Sequence, residues 1–165
     1  MVLALAIASL GQASAPARVV QAERFEVVDK EGKVRASLGL HSSGSPGLHL
    51  YDGDGRVRAI LSLGDNGGGL AFVANDGKNR AGLAIGSDGA VALGLADKDG
   101  KGRAMLSVAA DGSPALGLRD KDGTARAVLG TSEIVTTKTG AYETTATSSL
   151  VLFDKDGTVI ERLPR

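Results

Sequence analysis

A unit of about 23 residues recurs almost without interruption from Phe25 to Gly130, and it limits the possible folds more than any other feature of the chain. Its core reads L-x-L-x-D-x-D-G-x-x-R-A-x-L. The turn glycines are Gly32, Gly55, Gly77, Gly100 and Gly123, spaced by 23, 22, 23 and 23 residues. Each is followed at a fixed offset by an Arg-Ala pair: Arg35-Ala36, Arg58-Ala59, Arg80-Ala81, Arg103-Ala104 and Arg126-Ala127. Two residues beyond each alanine stands a leucine. A fixed period of this length signals stacked supersecondary units, none of which buries its apolar side alone.

One repeat, Leu48 to Leu63, reads LHLYDGDGRVRAILSL. Leu48 and Leu50 alternate with His49 and Tyr51, and Ala59, Leu61 and Leu63 alternate with Arg58, Ile60 and Ser62. Both runs have the two-residue period of a strand. The Asp-Gly loop between them is a hairpin signal, because aspartate caps the turn and glycine takes the left-handed position. Gly44, Gly67, Gly89 and Gly112 mark a second turn 12 residues later in each unit. The expected fold is all-β: tandem hairpin repeats forming an extended antiparallel meander or a β-solenoid. Which residues share a face depends on the loop. A three-residue loop pairing Asp52 with Arg56 puts Leu50 on the side of Arg58 and Ile60. A shift of one residue puts it with Ala59 and Leu61, a cleaner apolar face and the preferred reading.

The alanine after each arginine is informative because alanine is a poor strand former. Its recurrence implies that another layer packs closely there, either the same chain or a neighbouring copy; drift among duplicated units is the alternative. Only 3% of residues are aromatic, while 24 are glycine, so any interior is built from Leu, Val, Ile and Ala. Such thin sheets gain stability by stacking on copies of themselves, and a homotrimer or an open filament both serve.

The organisation expected is an apolar segment at 1–15, a lead-in at 16–24, the five-unit hairpin domain at 25–130, a Thr/Ser-rich insertion at 131–149 and a terminal half-repeat cap at 150–165. Met1 to Leu10 is almost wholly apolar and is followed by Gln12-Ala13-Ser14-Ala15, the layout of a secretory signal peptide. No basic residue precedes it, and Pro16 follows directly. The alternative is an apolar helix docked on the repeat body or on another subunit. The stretch is too short to span a bilayer.

Charge is balanced, 19 Lys+Arg against 19 Asp+Glu, which argues against a nucleic-acid binder. With no cysteine there are no disulfides or thiolate metal sites. The loop pairs Asp52 and Asp54, Asp97 and Asp99, and Asp120 and Asp122 are weak calcium candidates, since no closing glutamate completes a ligand set. Turn capping explains them without a metal. Arg35, Arg58, Arg80, Arg103 and Arg126 form a row spaced by roughly 10 Å if each unit adds two strands. That row either grips an anionic glycan or pairs with Asp29, Asp52, Asp97 and Asp120, six residues earlier across the turn. His41 and His49 have no partner that suggests a catalytic triad. No cofactor and no catalytic activity are expected.

The D-x-D-G-x-x-R-A-x-L unit resembles repeats of uncharacterised bacterial exported or membrane-anchored proteins over Phe25 to Gly130. In period the unit is also similar to MORN repeats. The string Tyr51-Asp52-Gly53-Asp54-Gly55-Arg56 is similar to the YD repeats of RHS-type proteins, although neither motif is carried through. These resemblances imply a hairpin-repeat scaffold and no particular chemistry. The function expected is a non-catalytic structural repeat protein that self-associates into a cell-surface or extracellular fibre, sheath or layer. The alternative is a glycan- or protein-binding adhesion module using the arginine row or the Thr-rich insertion.

Overall fold

The computed structural model describes residues 19–40, 44–130, 133–135, 142–144 and 149–163. The apolar segment 1–15, His41 and most of the insertion's side chains lie outside the described residues. The strands are β1 (Arg24–Val28), β2 (Val34–Leu40), β3 (Pro46–Tyr51), β4 (Val57–Gly64), β5 (Gly67–Val73), β6 (Asn79–Gly86), β7 (Val91–Ala96), β8 (Gly102–Val108), β9 (Pro114–Arg119), β10 (Ala125–Gly130), β11 (Glu133–Val135), β12 (Tyr142–Thr144), β13 (Leu150–Phe153) and β14 (Val159–Leu163). Twelve of them form one open antiparallel sheet in which each strand lies beside the next. It is a meander and does not close into a solenoid. The remaining two, β11 and β12, pair separately, so the insertion leaves the sheet after β10 and returns at β13, which sits directly against β10.

The hairpin loops explain how the faces are assigned. The Asp52 amide donates to Arg56 O (2.9 Å) and the Gly55 amide to Asp52 O (3.1 Å), closing a three-residue loop with Gly55 at φ 81°. Taken alone, that loop puts Leu50 with Arg58. The register then shifts: Tyr51 opposes Val57, but Leu50 opposes Ala59. Arg58 is the extra residue of a β-bulge. The same shift recurs at every Asp-Gly hairpin, in β1–β2, β5–β6, β7–β8, β9–β10 and β13–β14. The preferred face is correct, and its cause is the bulge rather than the loop length. A bulge re-aims one side chain, and in the five repeats that side chain is the recurrent arginine. In β14 the place is taken by Ile160, where the Arg-Ala pair is missing.

One face, called the leucine face, carries three apolar rows. The middle row begins at Phe25 and has a leucine on each of the following eleven strands, Leu38 to Leu163. On the loop side of it, Val27, Leu50, Phe72, Leu95, Leu118 and Leu152 alternate with Ala36, Ala59, Ala81, Ala104 and Ala127, and Glu161 ends the row. On the other side the large residues Leu40, Leu63, Ile85 and Val108 alternate with Pro46, Gly68, Val91 and Pro114. The opposite, small-residue face has Ser37, His49, Ile60, Ala71, Gly82 and Gly94 in one row. The only buried cluster among the described residues, Val128, Val151 and Phe153, lies on this second face beside the root of the insertion. There the Gly130 amide donates to Ser149 O (2.8 Å) and both residues are buried.

Candidate functional site

Two features of the sheet are candidates for function: the row of bulge arginines along the loop edge, and the leucine face itself.

Each loop aspartate is committed to its own turn. Asp52 Oδ1 accepts the Asp54 and Arg56 amides, both at 3.0 Å. Asp97 Oδ1 accepts Asp99 (2.8 Å) and Lys101 (3.1 Å), and Asp120 Oδ1 accepts Asp122 (2.9 Å) and Thr124 (3.0 Å). The second oxygen faces the bulge arginine: Asp29 Oδ2 lies 3.8 Å from Arg35, Asp52 3.5 Å from Arg58 and Asp120 2.6 Å from Arg126. Asp97 Oδ2 accepts two hydrogen bonds from Arg103, from Nε at 2.7 Å and from Nη2. In the third unit Ala74 stands where the loop aspartate belongs, and Arg80 pairs instead with Asp76 at 2.7 Å. The other calcium candidates, Asp54, Asp99 and Asp122, bind Arg56, Lys98 and Lys121 respectively. Among the described residues no group of three or more acidic or histidine side chains is placed to hold a metal ion.

The acidities follow from these contacts. The Arg56 amide, foremost, holds Asp52 below its ordinary value, and the Arg80 guanidinium does the same for Asp76. At Asp97 desolvation opposes ionisation, but the hydrogen bonds from Arg103 and the Lys101 and Asp99 amides outweigh it and lower the pKa to about 2. All three act as anchors for cations and turns. A group poised for proton transfer at neutral pH needs a pKa near 7 instead.

The arginines also reach across to the following loop. Arg58 Nε donates to Val73 O (2.7 Å), Arg80 Nη2 to Lys98 O (2.8 Å) and Arg103 Nη2 to Lys121 O (2.7 Å). Each guanidinium therefore ties its own loop to the loop one unit on. Of the row that sequence reading gave as either an anion grip or a ladder of Asp–Arg pairs, Arg58, Arg80 and Arg103 brace neighbouring repeats as well as pairing with aspartates.

On the small-residue face, Gly82, Gly94 and Gly117 floor a shallow depression of about 590 Å³, with Met105 and Arg103 beside them. No carboxylate or histidine lines it. His49 lies elsewhere on that face, its ring 6.3 Å from that of Tyr51, whose hydroxyl is 3.0 Å from Ser37 Oγ.

The leucine face is open to solvent. Leu38, Leu61, Leu83, Leu93, Leu106 and Leu129 of the middle row are 42–52% exposed, and in the flanking rows Phe72 is 51% and Leu63 59% exposed. Twelve strands at about 4.8 Å, three rows deep, make an apolar surface of about 1,000 Å². Monomeric soluble proteins rarely leave more than a few hundred Å² of contiguous apolar surface uncovered. Sequence reading identified the middle row and the alanines. It did not single out the outer row of Leu40, Leu63, Ile85 and Val108, although a large apolar residue four places after each of the first four alanines marks it.

No protein-family model matches the chain, and no curated protein sequence is detectably similar to it. Among the described residues no helix is long and apolar enough to cross a membrane.

Proposed function

We propose that this protein is a non-catalytic structural module that self-associates through its leucine face as part of a cell-surface or extracellular assembly. The supporting observation is the unbroken apolar row across all twelve strands, eight of whose residues are exposed in the isolated chain. Its area, about 1,000 Å² per copy, exceeds the roughly 800 Å² per partner of a standard stable interface. Copies of the same sheet are the natural cover, because the face is as regular as the repeat that produces it. The extracytoplasmic setting rests on the apolar leader and its small-residue run.

The adhesion reading draws less support. An anionic glycan needs free cations, whereas Arg58, Arg80 and Arg103 are engaged by aspartates and loop carbonyls.

Size-exclusion chromatography with light scattering tests the reading. A stable multiple of the chain mass, independent of salt, is expected for an apolar interface. A single-chain mass at micromolar concentration contradicts it. N-terminal sequencing of protein recovered from culture medium or the cell surface tests the export component, with cleavage near Ala15 as the expected result.

A further inference from the structure

We infer that the self-associating unit is a three-fold prism, in which three copies turn their leucine faces inward about an axis running along the sheet, perpendicular to the strands. The inference rests on the self-association proposed above and adds its symmetry.

The three apolar rows are not equivalent. The middle row is leucine on every strand after β1. Over β2–β9 the two flanking rows alternate large and small with opposite phase, except at β7, where Leu95 and Val91 are both large. On β5, Phe72 stands in the loop-side row and Gly68 in the other; on β4 the order reverses, with Ala59 and Leu63. Ala36 and Leu40 on β2, and Ala81 and Ile85 on β6, follow the pattern of β4. Leu118 and Pro114 on β9 follow that of β5. Apart from β7, each strand from β2 to β9 thus carries one bulky flanking residue and one slighter one (alanine, glycine or proline), with a leucine between them.

A triangular prism accommodates this arrangement. Strands of six to eight residues give a side of about 24 Å, which places each sheet about 7 Å from the axis. The middle of each side faces the widest part of the interior, where three leucines per layer converge. Near the corners two sheets meet at the same level, the loop-side row of one against the outer row of the next. Two large residues crowd each other there, and among β2–β9 only β7 sets two together, Leu95 against Val91 of the next copy. In a three-fold rotation the neighbour of Phe72 is Gly68 of the next copy, and that of Ala59 is Leu63. A flat two-sheet sandwich has a uniform spacing of about 10 Å and gives no reason for the middle row to differ from its flanks.

Because the chain has no cysteine, paired substitutions read the symmetry directly. Ala59→Cys with Leu63→Cys places two thiols on one strand about 13 Å apart, beyond the roughly 7 Å Cα separation that a disulfide spans. In the prism the first thiol of each copy meets the second thiol of the next, and mild oxidation closes a covalent ring of three chains on a non-reducing gel. Ala104→Cys with Val108→Cys repeats the test on β8, should the first pair disturb folding. Either variant giving the three-chain band supports the proposal, as does a three-chain mass for the unmodified protein in native mass spectrometry. A two-chain limit in both variants, or a two-chain native mass, overturns the three-fold symmetry and leaves self-association standing. A single-chain native mass overturns both.

Discussion

Ala59 stands directly opposite Phe72 in the pairing of β4 with β5, and directly opposite Leu50 in the pairing with β3. Ala59 is buried while both of its large neighbours are exposed. The alanine is a notch between ridges, repeated at Ala36, Ala81, Ala104 and Ala127. In the proposed assembly such a notch receives a side chain of the next copy.

Filling a notch is therefore expected to harm the assembly more than its chemistry suggests. Ala81→Leu adds apolar area to the leucine face but removes the clearance beside Leu95 and Phe72. Overpacking of this kind costs about 1–3 kcal/mol. Denaturant melts at matched protein concentration check it, with a lowered midpoint as the expected result.

A charge in the middle row is expected to dissolve the assembly. Leu83→Asp places an unpaired carboxylate where leucines of neighbouring copies converge, and burying it is strongly unfavourable. Light scattering is expected to fall to the single-chain mass. The same change at Met105, on the small-residue face opposite Gly117, is expected to leave the mass unaltered.

The Asp97–Arg103 pair predicts where acid weakens the fold. Folding holds Asp97 at about 2, below its ordinary 3.8, so the ionised form stabilises the folded state at every pH above 3.8. That contribution fades as pH falls from 3.8 toward 2. Asp97→Asn is expected to lower the melting temperature at neutral pH and to remove part of the decline between pH 4 and 2. Thermal melts across that range read both effects.

Gly130 tests the junction with the insertion. Its φ is +98°, and an added Cβ stands 2.1 Å from Pro114 O. Gly130→Ala is expected to destabilise by about 2 kcal/mol or more. At Gly94 an added Cβ meets nothing within 4 Å, and Gly94→Ala is expected to be neutral within about 0.5 kcal/mol. Chemical unfolding of the two variants gives the comparison.

The repeat was legible because its turn glycines and Arg-Ala pairs recur at near-constant spacing, and the antiparallel order follows from short Asp-Gly loops. The bulge was not legible, since an extra residue in one strand leaves no mark on alternation until the partner strand is known. From sequence Arg58 for that reason reads as part of an exposed cation row or as a partner of Asp52, and not as a brace to the next loop. The pairing of Arg35, Arg58, Arg103 and Arg126 with the aspartate six residues earlier was visible as spacing. The reach of Arg58, Arg80 and Arg103 to the next loop was not visible, because it depends on how adjacent hairpins stack. The opposite phase of the two flanking rows emerges only once the register of all the strands is set.

Hydroxyl-radical footprinting of the unmodified protein, with each residue's oxidation normalised to the unfolded chain, tests the central claim most directly. If copies cover the leucine face, Leu61, Leu83, Leu93 and Leu106 are strongly protected while Met105, on the opposite face, oxidises freely. Oxidation of those leucines in proportion to their 42–52% exposure in the isolated sheet contradicts the claim.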